Sequence, residues 1–207
     1  MRTATVALLA ASVLWTAQPA AAARIGVYND PNGQLCPQAQ PFAPTTWFVL
    51  ALLAPDACGG ISGAEFRIDG VPTNAEGWFV QVNPPPGVVG IGDPLAAGVH
   101  FNYPECQSSA SGVVVLFTLT VFQVSGAPVV DRLVQILAHQ TPSDPLLDCP
   151  VLRLCDAPAL TGICVQSATT RINGSGFCPC QFDCLPGPCP PLAVAPAAWS
   201  TVKQLFR

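Results

Sequence analysis

Short runs in which every second side chain is apolar, each closed by proline or glycine, restrict this chain to β-structure. In residues 64–69, Ala64, Phe66 and Ile68 point one way and Glu65, Arg67 and Asp69 the other. That is the pattern of a half-buried antiparallel strand whose charged residues form a solvated face. Trp78, Val80 and Val82 alternate with Phe79, Gln81 and Asn83, and Val99, Phe101 and Tyr103 alternate with His100 and Asn102. The longest run, 113–122, is apolar at Val113, Val115, Phe117, Leu119 and Val121 and mixed between them, which predicts the central strand of a sheet. Residues 45–53 are apolar on both faces and 133–138 nearly so; 24–28, 151–154 and 165–172 are shorter candidates. Turn signals separate the runs: Asp30-Pro-Asn-Gly33, Cys58-Gly-Gly60, Asp69-Gly-Val-Pro72, Asn83-Pro-Pro-Pro-Gly87 and Ser143-Asp-Pro145. With 23 prolines and 17 glycines there is little room for long helices, and a 3.6-residue period appears only at the C-terminus. The prediction is an all-β fold, an antiparallel immunoglobulin-like sandwich of about eight or nine strands with a short C-terminal helix.

The first 23 residues read as an export signal. Met1-Arg2 is a short positive start, Val6 to Trp15 an apolar core, and Ala21-Ala22-Ala23 a small-residue cleavage site. The apolar stretch falls short of the ~20 residues that span a bilayer, so no membrane insertion is expected after cleavage. Cleavage also removes Arg2, leaving seven basic residues, scattered and without a patch, which argues against nucleic acid and anionic membranes as partners. The expected location is secreted: extracellular, periplasmic or at the cell surface.

All ten cysteines follow this leader: Cys36, Cys58, Cys106, Cys149, Cys155, Cys164, Cys178, Cys180, Cys184 and Cys189. An even number in an exported chain points to disulfides. Cys155 and Cys164 flank a short turn and are expected to pair; the four cysteines at 178–189 are expected to pair among themselves. The resulting organisation is a signal peptide at 1–23, a β-sandwich domain at 24–173, a Cys/Pro-rich linker at 174–196 and an amphipathic helix at 197–207. Trp199, Val202, Leu205 and Phe206 share a face of that helix and are candidate partner-docking residues, either on the sandwich or on another molecule.

Gly60-Ile-Ser-Gly-Ala-Glu-Phe-Arg-Ile-Asp69, followed by Val113 to Val121, resembles the cohesin type of β-sandwich, in which an F-x-I strand is followed at a distance by a TLTV-like core strand. That resemblance implies a cohesin-like fold and a binding role toward a dockerin. The chain is also similar to uncharacterised secreted bacterial proteins that share Gly63–Gly70, the Leu154-Cys-Asp-Ala-Pro158 segment and the ending Trp199–Arg207. This second likeness implies a fold and a compartment, and no activity.

Catalytic and metal signatures are weak. Gly60-Ile-Ser-Gly-Ala64 misses the nucleophile elbow by its last glycine, and a strand rather than a helix follows Ser62. His100 should face solvent and His139 ends a strand. Cys178, Cys180, Cys184 and Cys189 lack the paired knuckles of a zinc site. Asp30-Pro-Asn-Gly33 reads as a β-turn rather than a calcium loop, and Asn173-Gly-Ser175 fits a glycosylation sequon. Trp47 and Trp78 fall inside apolar strand patterns and read as core rather than as a sugar platform. The expectation is a non-catalytic exported sandwich, with no cofactor or metal, that binds an unknown protein or glycan or joins a surface assembly. A carbohydrate-binding module is the alternative, and a secreted hydrolase the least favoured reading.

Overall fold

The computed structural model of the protein describes residues 23–54, 59–126, 129–155 and 162–174. The leader, Cys58, Cys178, Cys180, Cys184, Cys189 and the C-terminal Trp199, Val202, Leu205 and Phe206 lie outside the described residues. The strands are β1 (Arg24–Tyr28), β2 (Pro44–Leu52), β3 (Ile61–Asp69), β4 (Trp78–Asn83), β5 (Val89–Asp93), β6 (Gly98–Gln107), β7 (Val113–Gln123), β8 (Arg132–Leu137), β9 (Val151–Leu154), β10 (Gly162–Cys164), β11 (Gln166–Ala168) and β12 (Thr170–Ile172). They form two sheets, ordered β11-β1-β2-β7-β4 and β10-β9-β3-β6-β5, with β8 joined to β3 and β12 to β8. Neighbours run antiparallel except β1 and β11. Along its other edge β3 is shared: β9 pairs with Ile61 to Glu65 and β8 with Arg67 to Asp69.

Alternation builds this sandwich. Ala64, Phe66 and Ile68 of β3 and Val99 and Phe101 of β6 turn inward against Trp47, Val49, Phe117 and Leu119 of the facing sheet, in one buried cluster. Phe66 and Phe101 both pack on Phe117, with ring centroids 6.0 and 4.9 Å away. Trp47 and Trp78 are fully buried with centroids 6.2 Å apart, as the strand patterns predict. At ~25 cal/mol per Å² and about 200 Å² each, burial of these two rings contributes on the order of 5 kcal/mol apiece as an upper bound.

Three expectations are corrected by the packing. The centre of the first sheet is β2, with β7 beside it, because β1 and β11 extend the sheet on the far side. Nor does β7 keep one alternation: Val49 pairs with Phe117 but Leu50 with Val115, so Leu116 is a bulge residue. Past the bulge the faces exchange; Phe117, Leu119 and Val121 face the sandwich core, while Val113 and Val115 pack on a second cluster behind the sheet. That cluster, built on Tyr28, Cys36, Leu50, Leu52 and Ala168, explains why β2 is apolar on both sides. Finally, residues 165–172 are not one strand; β11 joins β1 and β12 joins β8, in different sheets.

The disulfide expectation is corrected as well. Cys155 bonds Cys106 and Cys149 bonds Cys164, with Cα separations of 5.9 and 5.6 Å. The β9–β10 hairpin register is the reason. Cys164 stands opposite Val151, at the far end from Cys155 and beside Cys149. Cys36 is disulfide-bonded too.

The Asp30 turn reads as expected. Asp30 closes the turn through its carbonyl, which accepts from the Gly33 amide. Its carboxylate accepts from the amides of Asn32, Gln34 and Leu35, so the oxygens a cation would want serve the backbone. Asn173 is different from what a sequon implies. Its side-chain oxygen accepts from the Ala39 amide at 2.8 Å and its amide donates to the Val129 carbonyl at 2.9 Å, so the nitrogen a glycan would attach to is already engaged within the fold.

Candidate functional site

The polar residues that alternation excludes from the core of β3 and β6 land on the outer face of the second sheet. Glu65 stands opposite His100 of β6 on one side and Val151 of β9 on the other. The segment after β8 folds back over them. The Gln140 amide donates to the Ala97 carbonyl at 2.8 Å, and the Cys149–Cys164 bond anchors the segment's far end. His139 lies on Gly98, where a β-carbon would come within 2.4 Å of its ring.

Under this cover Glu65 is only 2% exposed, so it does not belong to a solvated face. Arg67 and Asp69 do remain at the surface. A buried carboxylate needs partners, and Glu65 has them. The Ser143 amide donates to Oε1 at 2.7 Å and the Ser143 hydroxyl to Oε2 at 2.5 Å. Arg153 Nη2 donates to the same hydroxyl at 3.0 Å and stands 3.9 Å from Oε2. His100 Nδ1 is 3.2 Å from Oε2, with its side chain 26% exposed rather than free in solvent. The His100 and His139 ring centroids are 4.4 Å apart, their planes tilted by 49°. His139 Nδ1 accepts from the Thr141 amide at 3.0 Å. Burial holds the His100 pKa below its ordinary 6.5; Glu65 opposes that shift, while His139 and Arg153 add to it.

Glu65, His100 and His139 present donor atoms within 4.8 Å of one another, a spacing that raises the question of a cation. The lone pairs answer against it. Thr141 occupies the Nδ1 lone pair of His139, so the neutral ring carries its proton on Nε2 and has none to give. Both Glu65 oxygens already accept hydrogen bonds. Nor is the group a hydrolytic triad. The Ser143 hydroxyl is directed to the carboxylate and not to an imidazole, so neither ring can take its proton. Ser62 sits in β3 with its hydroxyl donating to the Arg153 carbonyl at 3.4 Å. What the arrangement does is hold residues 139–143 against the sheet by charge and hydrogen bonds.

A second feature lies along the side of the sandwich where both sheets end. Between β4 and β5 runs a slot of about 500 Å³ lined by Val80, Val82, Val88, Leu95, Val99 and Phe101. Among the described residues, strand β5 pairs only with β6 and is exposed along its whole length. Val89 and Ile91 are 60% and 65% exposed, and Phe79 on β4 55%. Gly90 leaves room for Phe101, whose ring would lie 2.8 Å from a β-carbon there. The sequence offered little sign of this strand, because two glycines interrupt its alternation.

No family model and no curated protein matches the chain. Among solved structures it is similar to the cohesin of a type I cohesin–dockerin complex from Clostridium thermocellum, at 12% identity over 73% of this chain and 99% of that one, with a TM-score of 0.42. It is also similar to the sixth cohesin of scaffoldin B from Acetivibrio cellulolyticus, at 10% identity over 73% and 98%, TM-score 0.40. A type II cohesin from the cellulosome of the same organism matches at 14% identity over 73% and 95%, TM-score 0.38.

Proposed function

We propose that this protein is an exported, non-catalytic β-sandwich module that binds another protein by accepting an extended segment along β5. The observation that carries the reading is the edge of β5, unpaired among the described residues and exposed at all five positions beside an apolar slot. An unpaired strand edge offers a row of backbone donors and acceptors, and proteins usually blunt such edges with charge, proline or a bulge. Here Val89 and Ile91 are apolar and the intervening glycines keep the strand slim. An added strand would gain main-chain hydrogen bonds from β5 and place alternate side chains beside Val89 and Ile91 on one face and over the slot lined by Val80, Val82 and Phe101 on the other. Disulfides in a chain with an apolar leader support an oxidising compartment outside the cytosol. Trp47 and Trp78 are buried, so neither can serve a glycan-binding alternative as a stacking platform.

Selection of displayed extended peptides against the mature protein, followed by amide exchange on the complexes, tests this. Selected peptides should protect residues 89–93 and lose binding to the double variant Val89→Lys/Ile91→Lys. Failure to select any binder, or binding that survives the two lysines, would overturn the reading.

A further inference from the structure

We propose that residues 139–143 form an acid-released clamp, closed on the outer face of the second sheet while His100 and His139 are neutral and opened when the pair takes up protons. The inference is independent of the β5 edge and rests on the geometry around Glu65.

His139 holds the clamp through a lone pair. Its Nδ1 accepts from the Thr141 amide at 3.0 Å, and a protonated ring carries N–H on both nitrogens. Protonation therefore sets two donors face to face, and that bond must break. The ring has little freedom to turn away, because its Cδ2 edge lies against Gly98.

Charge acts in the same direction. The groups facing the pair come from each packed element: Glu65 and Arg67 from β3, Arg153 from β9, and Asp148 from the covering segment, which lines a shared cavity with Arg67 and His139. Asp93 of β5 stands opposite Gly98. Around Glu65 the one negative charge is already matched by Arg153, with Ser143 between them. Two added positive charges on rings 4.4 Å apart repel one another at close range, and Arg153 adds to that repulsion. Opening relieves it by admitting water. The Cys149–Cys164 bond keeps the far end in place, so the segment swings as a tethered flap.

The sign follows from linkage. A base whose proton is disfavoured in the closed state contributes stability to that state above its ordinary pKa, and the contribution is lost as the pH falls below it. For His100 the fall begins near 6.5.

Amide exchange on the oxidised mature protein at about pH 7 and about pH 5 tests the clamp, with each rate divided by its intrinsic chemical rate. Peptides covering 139–143 should lose protection by about tenfold per unit of pKa difference between closed and open states, while β7 stays protected. In the double variant His100→Asn/His139→Asn, an amide oxygen can still accept from Thr141 and neither side chain can be protonated; the loss should vanish. Equal protection at both pH values, equal release in the double variant, or simultaneous loss in β7 would each overturn the proposal. Should the double variant fail to fold, proton NMR of the two imidazoles in the wild type decides. Clamp opening must share its midpoint with at least one ring, and a midpoint matching neither refutes the mechanism.

Discussion

Gly98 makes the space that His139 occupies. A β-carbon at residue 98 would come within 2.4 Å of the imidazole Cδ2, and the backbone there has a φ of +122°. Gly98→Ala therefore meets both a clash and a strained backbone, and should cost about 1–3 kcal/mol in urea unfolding. Gly87→Ala is the comparison: its φ is +77°, but the nearest atom is 3.8 Å away. The Gly87 variant should lose less, and the difference measures how firmly His139 is seated.

Peptide mapping without reduction should recover Cys106 linked to Cys155 and Cys149 linked to Cys164. Replacing Cys149 and Cys164 together by serine opens a loop with a sequence separation of 15 and should cost about 3 kcal/mol on the chain-entropy model. The same change at Cys106 and Cys155, separated by 49, should cost about 4 kcal/mol. A fragment joining Cys155 to Cys164 would contradict the hairpin register.

Glu65→Ala removes the acceptor for the Ser143 amide and hydroxyl and leaves Arg153 without its counter-charge. Because the site is buried, the loss should be about 3 kcal/mol. Ser143→Ala keeps the carboxylate in place with its amide bond, and should cost about 1 kcal/mol. Equal costs for the two, in urea unfolding, would mean that Glu65 is not the centre of the group.

Glu76 shifts in the same direction as His100, so its contribution too is lost as the pH falls, in a lower range. The hydrogen bond from Arg132, with a second from the Thr73 amide, holds its carboxyl below the ordinary 4.5. A lowered carboxylate contributes stability that is complete above 4.5 and is lost as the pH falls through the folded-state value. Carbon-detected NMR should place the Glu76 midpoint below 4.5, and Arg132→Gln should return it upward. A wild-type midpoint at or above 4.5 would show that the pair does not persist in solution.

How far the sequence revealed this molecule depends on how local each signal is. Phe66, Trp78 and Phe101 announce their strands because alternation is written within six or seven neighbours. Leu116 hides its bulge, since the extra residue changes faces only relative to β2, and the register is set by pairing across the sheet. β5 was missed because Gly90 and Gly92 carry no side chain to alternate. The site was the least legible part. Glu65 meets Ser143 across 78 residues of chain, and nothing near either marks the other. Its outward position read correctly as polar; the cover supplied by residues 139–143 made it buried. The Cys155 pairing went wrong for a similar reason, because proximity in sequence placed it by Cys164 while the hairpin carried them to opposite ends.

The Cys106–Cys155 bond closes a ring of chain that contains β7, β8 and β9. A protease that cuts once anywhere inside that ring frees no fragment; both pieces stay joined through sulfur. While the disulfide is intact, the loops between these strands can be severed and the covalent whole survives. Damage at a single loop then becomes visible only after reduction, as two bands where the intact molecule showed one.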